Sequence, residues 1–384
     1  MKIGLVAEYN PLHKGHLYQI NKIKEMYPDG KIIVCMSSNF VQRGEPAIIN
    51  KFQRAKLAID LGVDLVFELP VYFSTQNAEI FAKASINILN KLKVEKIIFG
   101  SEDKIEILKN ILEKIENNKD IYRENLKENL KKGYSYQKSS LIAMDFLNKI
   151  EKDALKKANN ILGLEYLKAI KKINPEISAQ TIKRVGVDHN SQDSTLEFAS
   201  ASLIRKKIFQ NKSVKNFLPL ETYESIKKQK LNNLENYYHI FKHQILLDSS
   251  LKDYMDYEIG MENLFLKNLD AKNFSEFINS CTNKRYSSSR IRRLILSKIL
   301  DLKKEDIKNY LYLPYLRLLA GNSKGFEILK DLEYPIITNK KNLKDLSPEI
   351  KAIYEKEVFA TNVYNTFSTG KLNEDYTRKI FIKK

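Results

Sequence analysis

Two histidines fall within four residues at His13-Lys14-Gly15-His16, just beyond a short apolar run at Ile3–Ala7. The whole chain has only five histidines, so this concentration asks for a chemical reason. One imidazole would lie in a loop and the other in the first turn of a helix. Ring N–H groups so placed can hold phosphate oxygens and stabilise charge that builds on them during displacement at phosphorus. A helix start adds unpaired amide N–H groups and the positive end of the helix dipole. Gly15 reads as a point where a nucleotide can approach the backbone. Surface histidines in a plain loop are the competing reading, and the strand-then-helix context is what argues against it.

Two more segments have the composition of anion sites. Phe198-Ala199-Ser200-Ala201-Ser202-Leu203-Ile204-Arg205 puts hydroxyls at a helix start and an arginine one turn later. Ser200, Ser202 and Arg205 can together take the β/γ end of a triphosphate. Tyr286-Ser287-Ser288-Ser289-Arg290-Ile291-Arg292-Arg293 repeats the pattern nearer the C-terminus. Its apolar face is Ile291, Leu294, Ile295 and Leu300, which leaves Arg290, Arg292 and Arg293 for RNA phosphates, with Arg43 of the Gln42–Glu45 loop as a further contact.

Elements able to position these residues are legible in the first hundred positions. Apolar runs at Ile3–Ala7, Lys31–Met36, Asp64–Leu69 and Val94–Phe99 have strand length. Helical spacing separates them, with Gly62 ending one helix and Ser74 or Thr75 starting another. Strands alternating with single helices predict right-handed βαβ units and a parallel sheet whose ligands bind beyond the strands' carboxyl ends. A further strand is expected within Ile177–Val187 and a short helix near Ser200–Phe209. After about Gln210 no strand signal remains. The expected organisation is a catalytic domain over 1–210 and a basic α-helical domain over 211–384.

Bulk properties narrow the partners. The 384 residues carry a formal charge of +18 at pH 7, with pI near 9.4. That balance favours nucleic acid or another polyanion, although a Lys-, Asn- and Ile-rich composition raises the charge without any partner. Cys35 and Cys281 are far apart with no CxxC, which argues against a disulfide scaffold or a zinc module. The apolar start is cut short by Glu8, and Val63–Val71 is interrupted by Asp64 and Glu68. Neither suits a signal peptide or a membrane span, so the expectation is a cytoplasmic protein with no structural metal.

The strand, Asn10-Pro11 and HxGH loop resemble the HIGH-motif nucleotidyltransferase superfamily, which implies a Rossmann-like parallel sheet. Further motifs follow in order: Phe40-Val41-Gln42-Arg43-Gly44-Glu45-Pro46-Ala47, Asp64–Pro70, Phe99-Gly100-Ser101-Glu102, Asn159–Tyr166 and Lys183-Arg184-Val185-Gly186. This set is similar to the bacterial tRNA(Met) cytidine acetate ligase family. The resemblance is close over the N-terminal part and weaker beyond it. It implies that acetate and ATP, as Mg-ATP, form acetyl-adenylate, and that acetyl passes to N4 of the wobble cytidine of elongator tRNA(Met). It implies catalytic roles for His13 and His16. ATP contacts would come from Val6, Ala7, Glu8, Tyr9, Asn10, Pro11, Leu12, His13, Lys14, Gly15, His16, Leu17, Tyr18 and Gln19, and from Gly100, Asn160, Arg184 and Val185. The stretch Gly186-Val187-Asp188-His189 departs from the family pattern, which leaves His189 without an expected role. Other readings are a cofactor-biosynthesis adenylyltransferase or an RNA-binding protein with an inactive nucleotide site. No protein partner is indicated.

Overall fold

The computed structural model describes residues 1–184 and 198–384. The strands, in chain order, are β1 (Lys2–Ala7), β2 (Lys31–Ser37), β3 (Phe40–Val41), β4 (Glu45–Pro46), β5 (Leu65–Leu69), β6 (Lys96–Ser101), β7 (Ser178–Lys183), β8 (Leu316–Asn322), β9 (Ile336–Ile337) and β10 (Phe381–Lys383). All but the β3–β4 hairpin share one sheet, ordered β10-β8-β5-β2-β1-β6-β7 with β9 against β8. From β5 to β7 every pairing is parallel. The chain builds outward from β1 through β2 to β5, then returns to place β6 on β1's other side. That reversal opens a crevice beyond the carboxyl ends of β1 and β6.

Both faces of the sheet are covered, as a parallel sheet requires. Along β2, Ile32, Val34 and Met36 pack into one core while Ile33 and Cys35 pack into the other. That is the period-two alternation of a strand. Helix α1 (Lys14–Met26) follows β1 and helix α2 (Lys51–Asp60) follows the hairpin. Asn50 caps α2, its side chain accepting the Gln53 amide at 2.9 Å. Both cysteines are buried and unpaired.

The C-terminal half departs from the all-helical expectation. β8 pairs antiparallel with β5, and β10 then pairs parallel with β8, so this half extends the sheet of the first. The boundary near Gln210 therefore does not separate a sheet domain from a helical one. The strand went unread because its Leu316-Arg317-Leu318-Leu319 core includes a charged residue, and its partner lies some 250 positions earlier.

That arginine is buried for a reason. Lys51, fully buried, lies 2.7 Å from Glu68, 3.1 Å from Glu357 and 2.9 Å from Asp375. Arg317 lies 3.6 Å from Asp375. Burial alone would push the Lys51 ammonium down, but Asp375, Glu357 and Glu68 hold it well above its ordinary value. Burial and the neighbouring Glu357 raise the Glu68 carboxyl. The cluster ties β5 and α2 to the Pro348–Asn365 helix, where Glu357 also accepts the Val71 amide at 2.7 Å. Among the described residues no helix is long and apolar enough to cross a membrane.

Candidate active site

At the end of β1 the chain turns through Tyr9, whose φ of 48° lies in the left-handed region, and enters α1. His13 is the N-cap. Its Nδ1 accepts the Gly15 amide at 3.0 Å, and the His13 amide donates to His16 Nδ1 at 3.3 Å. The two histidines thus form a reciprocal capping box, a role usually filled by Ser or Thr with Glu. Since each Nδ1 accepts a hydrogen bond, it carries no proton. Each neutral ring therefore presents Nε2–H as a donor.

The rings stack with centroids 3.9 Å apart and an interplanar angle of 26°, and Tyr9 meets His16 edge-on at 5.0 Å. Burial and the nearby Arg184 lower His13 to about 3. Burial, His13 and Arg184 hold His16 well below its ordinary value. Two imidazolium ions could not stack this closely without strong repulsion. The pair is a neutral, pre-aimed set of donors.

Gly15 has a structural reason beside the one its sequence position suggests. A Cβ there would lie 2.9 Å from His13 Cε1 and 3.0 Å from its Nδ1. The glycine makes room for the capping imidazole.

These rings face a cavity of about 760 Å³, within the range of small-molecule sites. Its polar wall includes Val6, Ala7, Glu8, Tyr9, Asn10, Gln19, Gly100 and Arg184. Ser200, Ser202 and Arg205, at the start of the Ala201–Phe209 helix, line the same cavity, and Arg205 donates to the Asn10 carbonyl at 2.9 Å. Ser200 caps that helix through the Leu203 amide at 3.2 Å and lies 3.1 Å from the Ser202 hydroxyl. Arg43 and, from the Ser288–Ile299 helix, Ser288, Ser289, Arg292 and Arg293 close the rim. The N-termini of α1, of the Ala201–Phe209 helix and of the Ser288–Ile299 helix thus border one cavity.

Other anticipated residues support the site from behind. Pro11, Leu12, Lys14, Gly15, Leu17 and Tyr18 are not on the cavity wall; Leu12 is in the core, and Tyr18 meets Phe198 edge-on at 5.8 Å. Asn160 is fully buried. Its Oδ1 accepts from the Ser101 hydroxyl and the Glu102 amide at 2.7 and 3.1 Å, and its Nδ2 donates to Asp103 and the Ala154 carbonyl. It braces the turn after β6, which carries Gly100. Arg290 turns away to Glu258 and the Asp256 carbonyl. Arg293 pairs with Asp256 at 2.6 Å, though it reaches the rim. Val185 and His189 lie outside the described residues.

Two features of the site were not read from the sequence. Arg54, fully buried, donates to the carbonyls of Glu8, Ser37, Ser38 and Ile49, gathering the ends of β1 and β2. Nothing marks it within the helical pattern of α2. The second is an apolar chamber of Phe81, Phe99, Met144, Leu155 and Tyr166, with Tyr122 and Tyr136. Its residues come from strand β6 and from helices and helix ends distant in sequence, so no local spacing gives it away.

The Gln42–Glu45 loop seats directly on the C-terminal half. Gly44 has φ +74°, and a Cβ there would lie 2.6–2.8 Å from Arg292 and the Arg293 amide. Arg292 donates to the Arg43 carbonyl at 3.2 Å. Gly44→Ala is expected to lower unfolding free energy by about 1–3 kcal/mol, read as a lower denaturant midpoint. A change within about 0.5 kcal/mol would show that this seat is loose.

A model of the HIGH Nucleotidyl Transferase family matches residues 1–379. The chain is 38% identical over 380 residues to the tRNA(Met) cytidine acetate ligase of Thermoanaerobacter sp. (strain X514), covering 94% of each. It is 36% identical to the enzyme of that name from Clostridium perfringens (strain SM101 / Type A), covering 97% of each. The crystal structure of Thermotoga maritima TmcAL in its apo form superposes with a TM-score of 0.91 at 32% identity, covering 99% of each chain. The same protein bound with alpha-thio ATP gives 0.89 at 33% identity, covering all of each chain.

Proposed function

This chain belongs to the tRNA(Met) cytidine acetate ligases of the HIGH nucleotidyl transferase family, and on that premise we propose how its residues divide the reaction. The triphosphate lies between α1 and the Ala201–Phe209 helix, with the α-phosphate toward the His13 and His16 Nε2–H donors and the β/γ end toward Ser200, Ser202 and Arg205. The paired histidines carry this reading, because their Nδ1 atoms are committed to the backbone and their Nε2–H groups are left for a ligand. Gly100, Arg184 and the apolar chamber hold the nucleoside end.

Acetate is a carboxylate at neutral pH, so its oxygen attacks the α-phosphorus without a general base. The bond between the α-phosphorus and the α,β-bridging oxygen breaks and pyrophosphate leaves, its charge offset by the site's arginines; magnesium arriving with the nucleotide would add to that neutralisation. Among the described residues no group of three or more His, Cys, Asp or Glu is placed to hold a metal. In the second step N4 of the wobble cytidine attacks the acyl carbon and AMP departs. The amine proton goes to a carboxylate near the site, Glu8 or Glu45. Burial raises Glu8 although the Gln42 amide and Arg205 pull it down, which suits a proton acceptor.

The test is incorporation of labelled pyrophosphate into ATP, which must require acetate, followed by nucleoside mass spectrometry of elongator tRNA(Met) incubated with acetate and ATP. Exchange that is indifferent to acetate would remove the acyl-adenylate. Exchange driven instead by a small phosphate ester would favour a cofactor adenylyltransferase.

The histidines also set a pH dependence. Both titrate below their usual value of about 6.5, so they are neutral throughout the physiological range. We expect kcat/KM for ATP to show no inflection near pH 6.5. Affinity lost as pH rises through that value would mean that an imidazolium binds the phosphate. The stability sign follows from the same shifts. Between about 3 and 6.5 the unfolded chain protonates His13 and the native chain does not, and His16 acts in the same direction, so stability falls as the solution is acidified below about 6.5.

A further inference from the structure

A second cavity, of about 460 Å³, lies beyond the first and shares Ser202, Arg205, Ser288 and Arg292 with it. The partition between them is an ion-pair bridge. Glu45 lies 3.0 Å from Arg205 and 3.4 Å from Arg292. All three side chains are mostly buried, and each comes from a different element: the β3–β4 hairpin, the Ala201–Phe209 helix and the Ser288–Ile299 helix.

The lining of the second cavity is of mixed chemistry. Phe209 is 43% exposed at the end of its helix, and Ile278 and Leu234 supply further apolar wall. Lys206 adds a cation one turn before Phe209. Asn233 and Asn279 place amides on the lining, and among the described residues nothing bonds the buried Asn233 Oδ1. Glu235 is already committed, since it accepts from the Phe274 and Ser275 amides at 2.8 and 3.0 Å.

An exposed ring for stacking, amides for a base edge and cations for phosphate are the three requirements for holding an unstacked RNA nucleotide. Glu45 already offsets the Arg205 and Arg292 charges on this side, which leaves too little for a triphosphate, and a purely apolar ligand would strand the amides. We propose that this cavity binds the acceptor nucleotide of the RNA substrate, its base stacked on Phe209 and its reactive edge turned toward the Glu45 partition. The proposal rests on the acyl-transfer reading, because that reaction must seat an RNA acceptor beside the bound nucleotide. The partition is then the threshold across which the acyl group is handed over.

The chain has no tryptophan, so Phe209→Trp creates a single fluorescent reporter inside the second cavity. Saturating tRNA(Met) transcript is expected to quench it, whereas ATP alone does not. A transcript abasic at the wobble position should bind without quenching. In steady state, Phe209→Leu should raise KM for tRNA(Met) by about five- to a hundredfold, while Phe209→Tyr, which keeps the ring, stays within about twofold. Unchanged KM in Phe209→Leu, or equal quenching by the abasic transcript, would overturn the assignment. Wild-type acetate-dependent exchange and acetylcytidine formation, run alongside, test the underlying reaction. If both are present and the Phe209 results fail, only the second cavity is wrong.

Discussion

Replacing His16 with alanine is expected to slow acetate-dependent pyrophosphate exchange by about 10²–10³-fold, the usual cost of removing one pre-aimed donor from a developing negative charge. The effect has two sources in this fold. The Nε2–H that would meet the phosphate is lost, and so is the Nδ1 acceptor that holds the His13 amide at 3.3 Å. The stack that orients His13 goes with it. His16→Gln separates these contributions, because a carboxamide keeps a donor near the Nε2 position without restoring the stack. It should fall between wild type and His16→Ala. Exchange that survives His16→Ala within about threefold would remove this ring from the chemistry, since a lost charge-stabilising donor costs far more.

The second large effect is on stability. Lys51→Met should cost about 3–5 kcal/mol, measured by denaturant unfolding, because it leaves a buried carboxylate cluster short of a cation. Glu68, Glu357 and Asp375 all approach the ammonium within 3.1 Å, and Arg317 alone cannot serve all three. The loss should be felt far from position 51, since those carboxylates sit on β5, the Pro348–Asn365 helix and the Glu374–Thr377 turn of helix. A loss below about 1 kcal/mol would mean that the carboxylates are protonated together and the cluster is not an ionic lock.

How far the sequence made this molecule legible depended on distance along the chain. Strands β1, β2, β5 and β6, α1 and the Ser200 cap were readable because their signals are local: apolar runs of strand length, a glycine at a helix end, a serine at a helix start. The HxGH loop could be placed for the same reason. What could not be read were relations between remote segments. Arg317 looks like a surface residue until Asp375 and Glu68 are brought to it, and so β8 was missed. Arg54 looks like one more charge on α2, although it holds the ends of β1 and β2 together. The missing side chain of Gly15 also accommodates His13, a contact that its place in the motif does not announce. The arginines of the 286–293 segment were grouped by type, yet Arg292 reaches the site, Arg293 reaches the rim while paired to Asp256, and Arg290 turns away.

The antiparallel seam between β5 and β8 bears on how this protein can be made. β5 is Leu65-Val66-Phe67-Glu68-Leu69, an apolar strand that leaves the ribosome long before the segment at 316–322 that covers its edge. Until then the growing chain presents an unpaired hydrophobic strand, the type of edge that recruits other chains. A fragment cut at residue 210 keeps that edge open for good. Attempts to produce the nucleotide-binding half alone should therefore yield aggregates, and conditions that slow synthesis should raise the demand for chaperones.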